Sequence, residues 1–79
     1  MSNEAKLKHA FCTTLSLAEN EINDDLEYNT ISTWDSVGHM KLIAELEDTY
    51  GIMMDTDDII DLSSYGKAKE ILKKYDIEF

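Results

Sequence analysis

The chain has 79 residues, of which 43% are hydrophobic, so its size and composition fit one globular domain and exclude a disordered tail. Seventeen Asp and Glu residues oppose seven Lys residues and no Arg, which gives a formal net charge of -10. This charge argues against binding to polyanionic nucleic acid and favours basic protein partners, with a role in solubility alone as the alternative.

The hydrophobic pattern predicts helices, because no segment alternates convincingly like a strand and no proline occurs. The first helix is predicted from about Asn3 to Leu17, with Ser2 or Asn3 as its N-cap. Residues 18–35 lack helical periodicity and are rich in Asn, Asp, Ser and Thr, which predicts a loop. Scattered apolar residues predict that this loop packs across the helices: Ile22, Leu26, Tyr28, Ile31 and Trp34.

Three further helices are predicted in the second half of the chain. The second helix runs from about Ser36 to Tyr50, with apolar residues around much of its circumference. A short third helix is expected to start after Thr56, taken as its N-cap, and to end near Leu62. The fourth follows a serine cap in Ser63-Ser64. We therefore predict an all-α fold over residues 1–79, a small four-helix bundle with three longer helices, one short helix and a long first loop.

The most informative feature is Asp35-Ser36-Val37, where the polar loop gives way to an apolar helical run. It places a serine hydroxyl and a carboxylate together at the start of a helix. Asp and Ser are also the ordinary N-capping residues, and for this pair alone capping is the favoured interpretation. On that interpretation, Ser36→Ala costs the helix one cap, worth about 1 kcal/mol.

The run from Trp34 to Glu47 resembles the signature of acyl and peptidyl carrier proteins, and the resemblance extends over nearly the whole chain. It implies a four-helix bundle of the acyl-carrier type and a 4'-phosphopantetheine arm on Ser36, donated by coenzyme A through a phosphopantetheinyl transferase. The adjacent Asp35 is then expected to orient the serine or to hold the metal of the transferase. The thiol of the arm would carry an acyl or aminoacyl group as a thioester, so the resemblance implies a carrier and not an enzyme.

The resemblance also implies a docking surface for loading ligases and acyl-transferring enzymes with basic patches. Its candidate residues lie on the second and third helices: Val37, Met40, Lys41, Ala44, Glu45, Glu47, Asp48, Asp57, Asp58 and Asp61. For any one of them, a core position or a plainly solvated one is an equal alternative. Lys41 and the Gly38-His39 pair favour a specialised or aminoacyl pathway over fatty-acid synthesis, and the cargo stays open.

Other kinds of site fail on their residue requirements. His9 and Cys12 supply two of the four ligands of a structural zinc site, so no metal site is expected. Ser36 and His39 lie one turn apart on the same helix, where the geometry of a catalytic triad is rarely achieved. The rival hypothesis from another class is an unmodified acidic helical adaptor with a carrier-like fold, which would bind a basic partner without ever being acylated.

The expected environment of the protein follows from what its sequence does not contain. No run reaches the roughly 18 apolar residues of a membrane span, and the polar first residues precede no apolar signal core. The single cysteine, Cys12, excludes an internal disulfide. We therefore expect a cytoplasmic monomer that binds neither membrane nor nucleic acid.

Overall fold

The computed structural model describes residues 2–79, and this range folds into a small bundle of four α-helices. The helices are α1 (Asn3–Leu15), α2 (Ser36–Tyr50), α3 (Thr56–Asp61) and α4 (Tyr65–Lys73). A single turn of 3-10 helix at Glu19–Glu21 interrupts the long connection between α1 and α2. The predicted fold class is confirmed, with three longer helices and one short helix. Within residues 2–79, none of these helices has the length and apolar content that a membrane crossing requires.

Helix α1 begins where the sequence predicted and ends two residues earlier. Ser2 is its N-cap, and the serine hydroxyl accepts a backbone hydrogen bond from the first turn at 3.1 Å. At the other end, Ser16 adopts a left-handed conformation with φ 55°. The N–H of Leu17 then donates to the carbonyl of Cys12 at 3.1 Å, which closes the last turn before Leu17 can join the helix.

The two helices at the end of the chain differ in how they are capped. Helix α3 includes Thr56 as its first residue, so the prediction that Thr56 is its N-cap was wrong. The N-cap position is Asp55, which makes no side-chain capping hydrogen bond. Helix α4 is capped by Ser64, whose hydroxyl accepts the N–H of Lys67 at 2.9 Å. Helix α3 therefore depends on tertiary contacts more than its neighbours do.

The hydrophobic core is organised around Trp34, a residue of the long loop whose side chain is fully buried in the bundle. Its ring packs edge to face with that of Phe11 at a centroid distance of 5.4 Å, and the rings of Phe11 and Tyr65 pack edge to face at 5.0 Å. Ile22 and Leu26 are buried as well, which confirms that the loop packs across the helices. This packing fixes the position at which the chain enters α2.

The loop also lies unusually close to the first turn of α2. A Cβ atom at Gly38 would be 1.9 Å from the backbone carbonyl oxygen of Thr33, far inside van der Waals contact. Only a residue without a side chain fits there, so Gly38 permits the loop backbone to rest against the helix. This contact holds the two residues before α2 in place at its start.

Candidate functional site

Asp35 and Ser36 have different roles at the start of α2: the Asp35 side chain caps the helix, and the Ser36 side chain does not. Asp35 is the N-cap, and its Oδ1 atom accepts the N–H of Gly38 at 2.9 Å. Ser36 is the first helical residue, and its side chain is exposed. By contrast, Ser2 and Ser64 use their hydroxyls as caps. The expectation that Ser36→Ala removes a cap was therefore wrong, because Asp35 supplies the cap and the Ser36 hydroxyl is free of that role.

The surroundings of the Ser36 hydroxyl suit a phosphate group. Helix α2 is 15 residues long, and its N-terminus carries the positive end of the helix dipole and backbone N–H groups without partners inside the helix. A phosphate at such a position is stabilised by both features. The residues present at this site therefore fit a phosphodiester on Ser36.

Tyr28 lies beside Ser36, and the sequence did not predict this neighbour. The Tyr28 hydroxyl is 3.3 Å from Ser36 Oγ, and either oxygen can donate the hydrogen bond. The Tyr28 ring meets Trp34 and His39 edge to face, at centroid distances of 6.3 Å and 5.4 Å. The prediction used Tyr28 only as an apolar anchor of the loop, and it is 38% exposed.

His39 joins the loop, α2 and α3 through its two ring nitrogens. The indole N–H of Trp34 donates to Nδ1 at 3.0 Å, and Nε2 is 2.7 Å from the carbonyl oxygen of Ile59. Because indole only donates, Nδ1 must be the acceptor, and Nε2 must carry the proton that it donates to Ile59. Both nitrogens are thus engaged away from Ser36, so a hydrolytic pair of His39 and Ser36 does not form.

A groove runs from Tyr28, the neighbour of Ser36, towards α3. Its volume is about 240 Å³, and its walls come from the loop, α2, α3 and the residues after α3: Tyr28, His39, Ile59, Ile60, Leu62 and Ser63. Ile60 is 73% exposed at its edge. The sequence did not connect Tyr28 and His39 with residues 59–63, because they meet only through tertiary contacts such as the hydrogen bonds of His39 to Ile59 and of Tyr28 to Ser63.

Most of the predicted docking residues of α2 share one exposed stripe that starts beside Ser36. Val37 is 63% exposed and Met40 is 58% exposed, so neither is a core residue. Lys41, Ala44 and Asp48 are exposed along the same side of the helix, at spacings of three or four residues. Glu45 is half-buried at its margin, and Asp57 and Asp61 are exposed on α3.

Two predicted docking acids are engaged inside the fold instead. Glu47 is half-buried, and its carboxylate accepts the backbone N–H of Met54 at 2.9 Å, which ties α2 to the segment before α3. Asp58 is 5% exposed, and Lys74 and the Tyr75 hydroxyl both donate to its carboxylate. The Asp58 carboxylate is therefore too buried to meet a partner, and the prediction is corrected for that residue. Glu47 is only partly engaged, and its part in docking stays a prediction.

The contacts of Asp58 also change its ionisation. The hydrogen bond from Lys74 and then that from Tyr75 lower the pKa of the Asp58 carboxyl, because both donors stabilise its charged form. Tyr75 also accepts the N–H of Asp55 through its hydroxyl at 3.0 Å. One buried carboxylate thus fastens the weakly capped helix α3 to the end of α4.

The two residues considered for metal binding, His9 and Cys12, both lie on α1. His9 is exposed on α1, Cys12 is half-buried, and burial raises the pKa of the Cys12 thiol. In the part of the chain that the structure describes, no group of three or more His, Cys, Asp or Glu residues is arranged to hold a metal ion.

Comparison with known proteins supports a phosphopantetheine attachment site in this chain. The family model described as the phosphopantetheine attachment site matches residues 5–72, and the covalent group of that family is 4'-phosphopantetheine. An acyl carrier protein of Lactobacillus johnsonii is 29% identical over 70 residues, covering 89% of this chain and 88% of that protein. No solved structure matches the chain significantly. The resemblance seen in the sequence is confirmed, and the chain belongs to the family of phosphopantetheine-binding acyl carrier proteins.

Proposed function

We propose that this protein carries an acyl or aminoacyl intermediate as a thioester on a 4'-phosphopantetheine arm attached to Ser36. One observation carries the choice of residue: Asp35 caps α2, which leaves the Ser36 hydroxyl exposed at the N-terminal end of the helix. The other serines at helix starts, Ser2 and Ser64, accept backbone hydrogen bonds as caps. A transferase therefore meets a Ser36 hydroxyl that caps no helix and whose hydrogen-bond partner is the exposed Tyr28 hydroxyl.

The attachment chemistry assigns a simple role to each group of this chain. Ser36 Oγ forms a bond to the pantetheine-side phosphorus of coenzyme A, and the bond from that phosphorus to the bridging oxygen of the diphosphate breaks. The nucleotide portion leaves, and the serine proton passes to a base of the transferase. Asp35 holds the start of α2 in place, and the helix N-terminus stabilises the added negative charge.

We further propose that transferases, loading ligases and acyl-transferring enzymes dock on the exposed stripe of α2 and on the free acids of α3. This docking surface consists of Val37, Met40, Lys41, Ala44, Glu45, Glu47, Asp48, Asp57 and Asp61. Residues 35–61 hold eight Asp and Glu residues and one Lys, so their field favours partners with basic patches. Exposed Val37 and Met40 supply apolar contact beside the attachment residue. The protein would act as one cytoplasmic, monomeric carrier domain.

The intact mass of the purified chain tests the attachment residue. Wild type, Ser36→Ala and Ser64→Ala are each incubated with coenzyme A, Mg²⁺ and a broad-specificity phosphopantetheinyl transferase. We expect wild type and Ser64→Ala to gain one phosphopantetheine and Ser36→Ala to gain none, while circular dichroism shows all three folded. Ser64→Ala is the matched control because it alters a serine at another helix start and costs about 1 kcal/mol as a lost cap.

Two outcomes of this experiment would contradict the proposal. A mass gain in Ser36→Ala would place the arm on another residue. An unmodified wild type, with partner binding equal for wild type and Ser36→Ala, would instead support the rival adaptor function.

A further inference from the structure

The position of Tyr28 is fixed from several directions. Its backbone N–H donates to the carbonyl of Ser63 at 2.8 Å. Its ring is held by edge-to-face contacts with Trp34 and His39, of which Trp34 is fully buried. The hydroxyl therefore reaches Ser36 from a side chain with little freedom to move, although 38% of the residue is exposed.

Tyr28 is also the residue that the attachment point and the groove have in common. Its hydroxyl is 3.3 Å from Ser36 Oγ, and its ring forms one wall of the groove towards Ile59 and Ile60. A group that leaves Ser36 in the direction of the groove must pass this phenol. Tyr28 is thus placed to set the direction in which a group attached to Ser36 leaves the helix.

Modification of Ser36 changes whether the Tyr28 hydroxyl is the donor or the acceptor of the hydrogen bond. In the unmodified chain, either Tyr28 or Ser36 can be the donor. Once Ser36 is esterified, its Oγ has no proton to give, so only Tyr28 can donate. A phosphodiester carries a negative charge, and a hydrogen bond to a charged acceptor is roughly twice as strong as a neutral one.

We propose that Tyr28 is a positioning residue for the prosthetic arm: its hydroxyl donates a hydrogen bond to the phosphodiester on Ser36 and directs the arm along the groove. This inference rests on the proposed attachment to Ser36. Tyr28 is a positioning residue and not a catalytic one, because it holds the product of the attachment and takes no proton from the serine.

Phosphorus NMR of the loaded protein tests this role through the variants Tyr28→Phe and Tyr50→Phe. Tyr28→Phe removes only the hydroxyl and keeps the ring that contacts Trp34 and His39. Tyr50→Phe is the matched control, because its hydroxyl donates to the carbonyl of Asn3 at 2.8 Å and has no contact with Ser36. We expect the ³¹P resonance of the phosphodiester to move in Tyr28→Phe and to stay at the wild-type position in Tyr50→Phe.

The thermal unfolding midpoint of each unmodified variant separates positioning from folding. Tyr28→Phe should unfold close to wild type, because it loses one exposed hydrogen bond and keeps its ring contacts. A loaded Tyr28→Phe protein with an unchanged ³¹P resonance would overturn the positioning role and leave the attachment proposal intact. A wild type that takes up no arm would overturn both.

Discussion

The substitution Gly38→Ala tests whether the long loop is held against the start of α2. In an isolated helix this change is favourable, because alanine exceeds glycine in helix propensity by about 1 kcal/mol. In this fold the new Cβ would lie 1.9 Å from the carbonyl oxygen of Thr33 and 3.3 Å from a methyl of Leu15. The structure therefore predicts the opposite sign from helix propensity.

The magnitude follows from the kind of atom that the new methyl meets. Overpacking in a folded protein typically costs about 1–3 kcal/mol. The upper end applies at Gly38, because a backbone oxygen cannot turn away as a flexible side chain can, and Thr33 is one residue from buried Trp34. Subtracting the gain in helix propensity leaves a net destabilisation of about 2 kcal/mol.

Urea unfolding followed by circular dichroism and by Trp34 fluorescence measures this effect. For a small domain, a loss of about 2 kcal/mol lowers the midpoint by roughly 1–2 M urea. Gly66→Ala is the matched control in α4, where the new Cβ would meet Asp24 at an ordinary 3.6 Å. We expect that control to be unchanged or stabilised by up to about 1 kcal/mol. A Gly38→Ala protein as stable as wild type would refute the close contact between loop and helix.

Two further predictions concern charged groups on α2 and α3. Because the pKa of Asp58 is lowered, its stabilising effect is complete above the ordinary carboxyl pKa of 3.8 and is lost as pH falls through the lowered value. The unfolding free energy of wild type should therefore exceed that of Asp58→Asn at neutral pH and approach it in acid; a difference independent of pH would contradict this. The double variant Glu45→Lys with Asp48→Lys should lower the transferase kcat/KM about tenfold through lost complementarity with a basic patch. The same reversals at exposed Glu19 and Glu21 change the net charge equally and should have little effect, whereas equal losses in the two double variants would remove the proposed docking surface.

Helix α2 shows how far the sequence alone could go. Its observed range, Ser36–Tyr50, agrees with the prediction, because the apolar pattern begins abruptly after Asp35 and Gly51 ends the helix in a left-handed conformation. The loop anchors Ile22 and Leu26 were also predicted correctly, since isolated apolar residues in a polar stretch need a core to bury them. The local sequence is enough to predict helix boundaries and buried loop residues of this kind.

Contacts between distant segments account for what the sequence did not predict. Asp58 is a first-turn acid of α3 and gives no local sign of burial, yet Lys74 and Tyr75 from the end of the chain enclose its carboxylate. The neighbours of the attachment site depend in the same way on tertiary packing, since Tyr28 reaches Ser36 only because Trp34 and His39 hold its ring. The spacing of these residues along the chain gives no sign of these contacts.

Fragment mass spectrometry of the loaded wild-type protein tests whether Ser36 carries the arm, because it locates the modification on a single residue. The chain is modified with coenzyme A, Mg²⁺ and a phosphopantetheinyl transferase, digested, and fragmented under conditions that preserve the phosphodiester. We expect one phosphopantetheine, found on Ser36. An arm on any other residue, or a wild type that accepts none, would contradict this expectation.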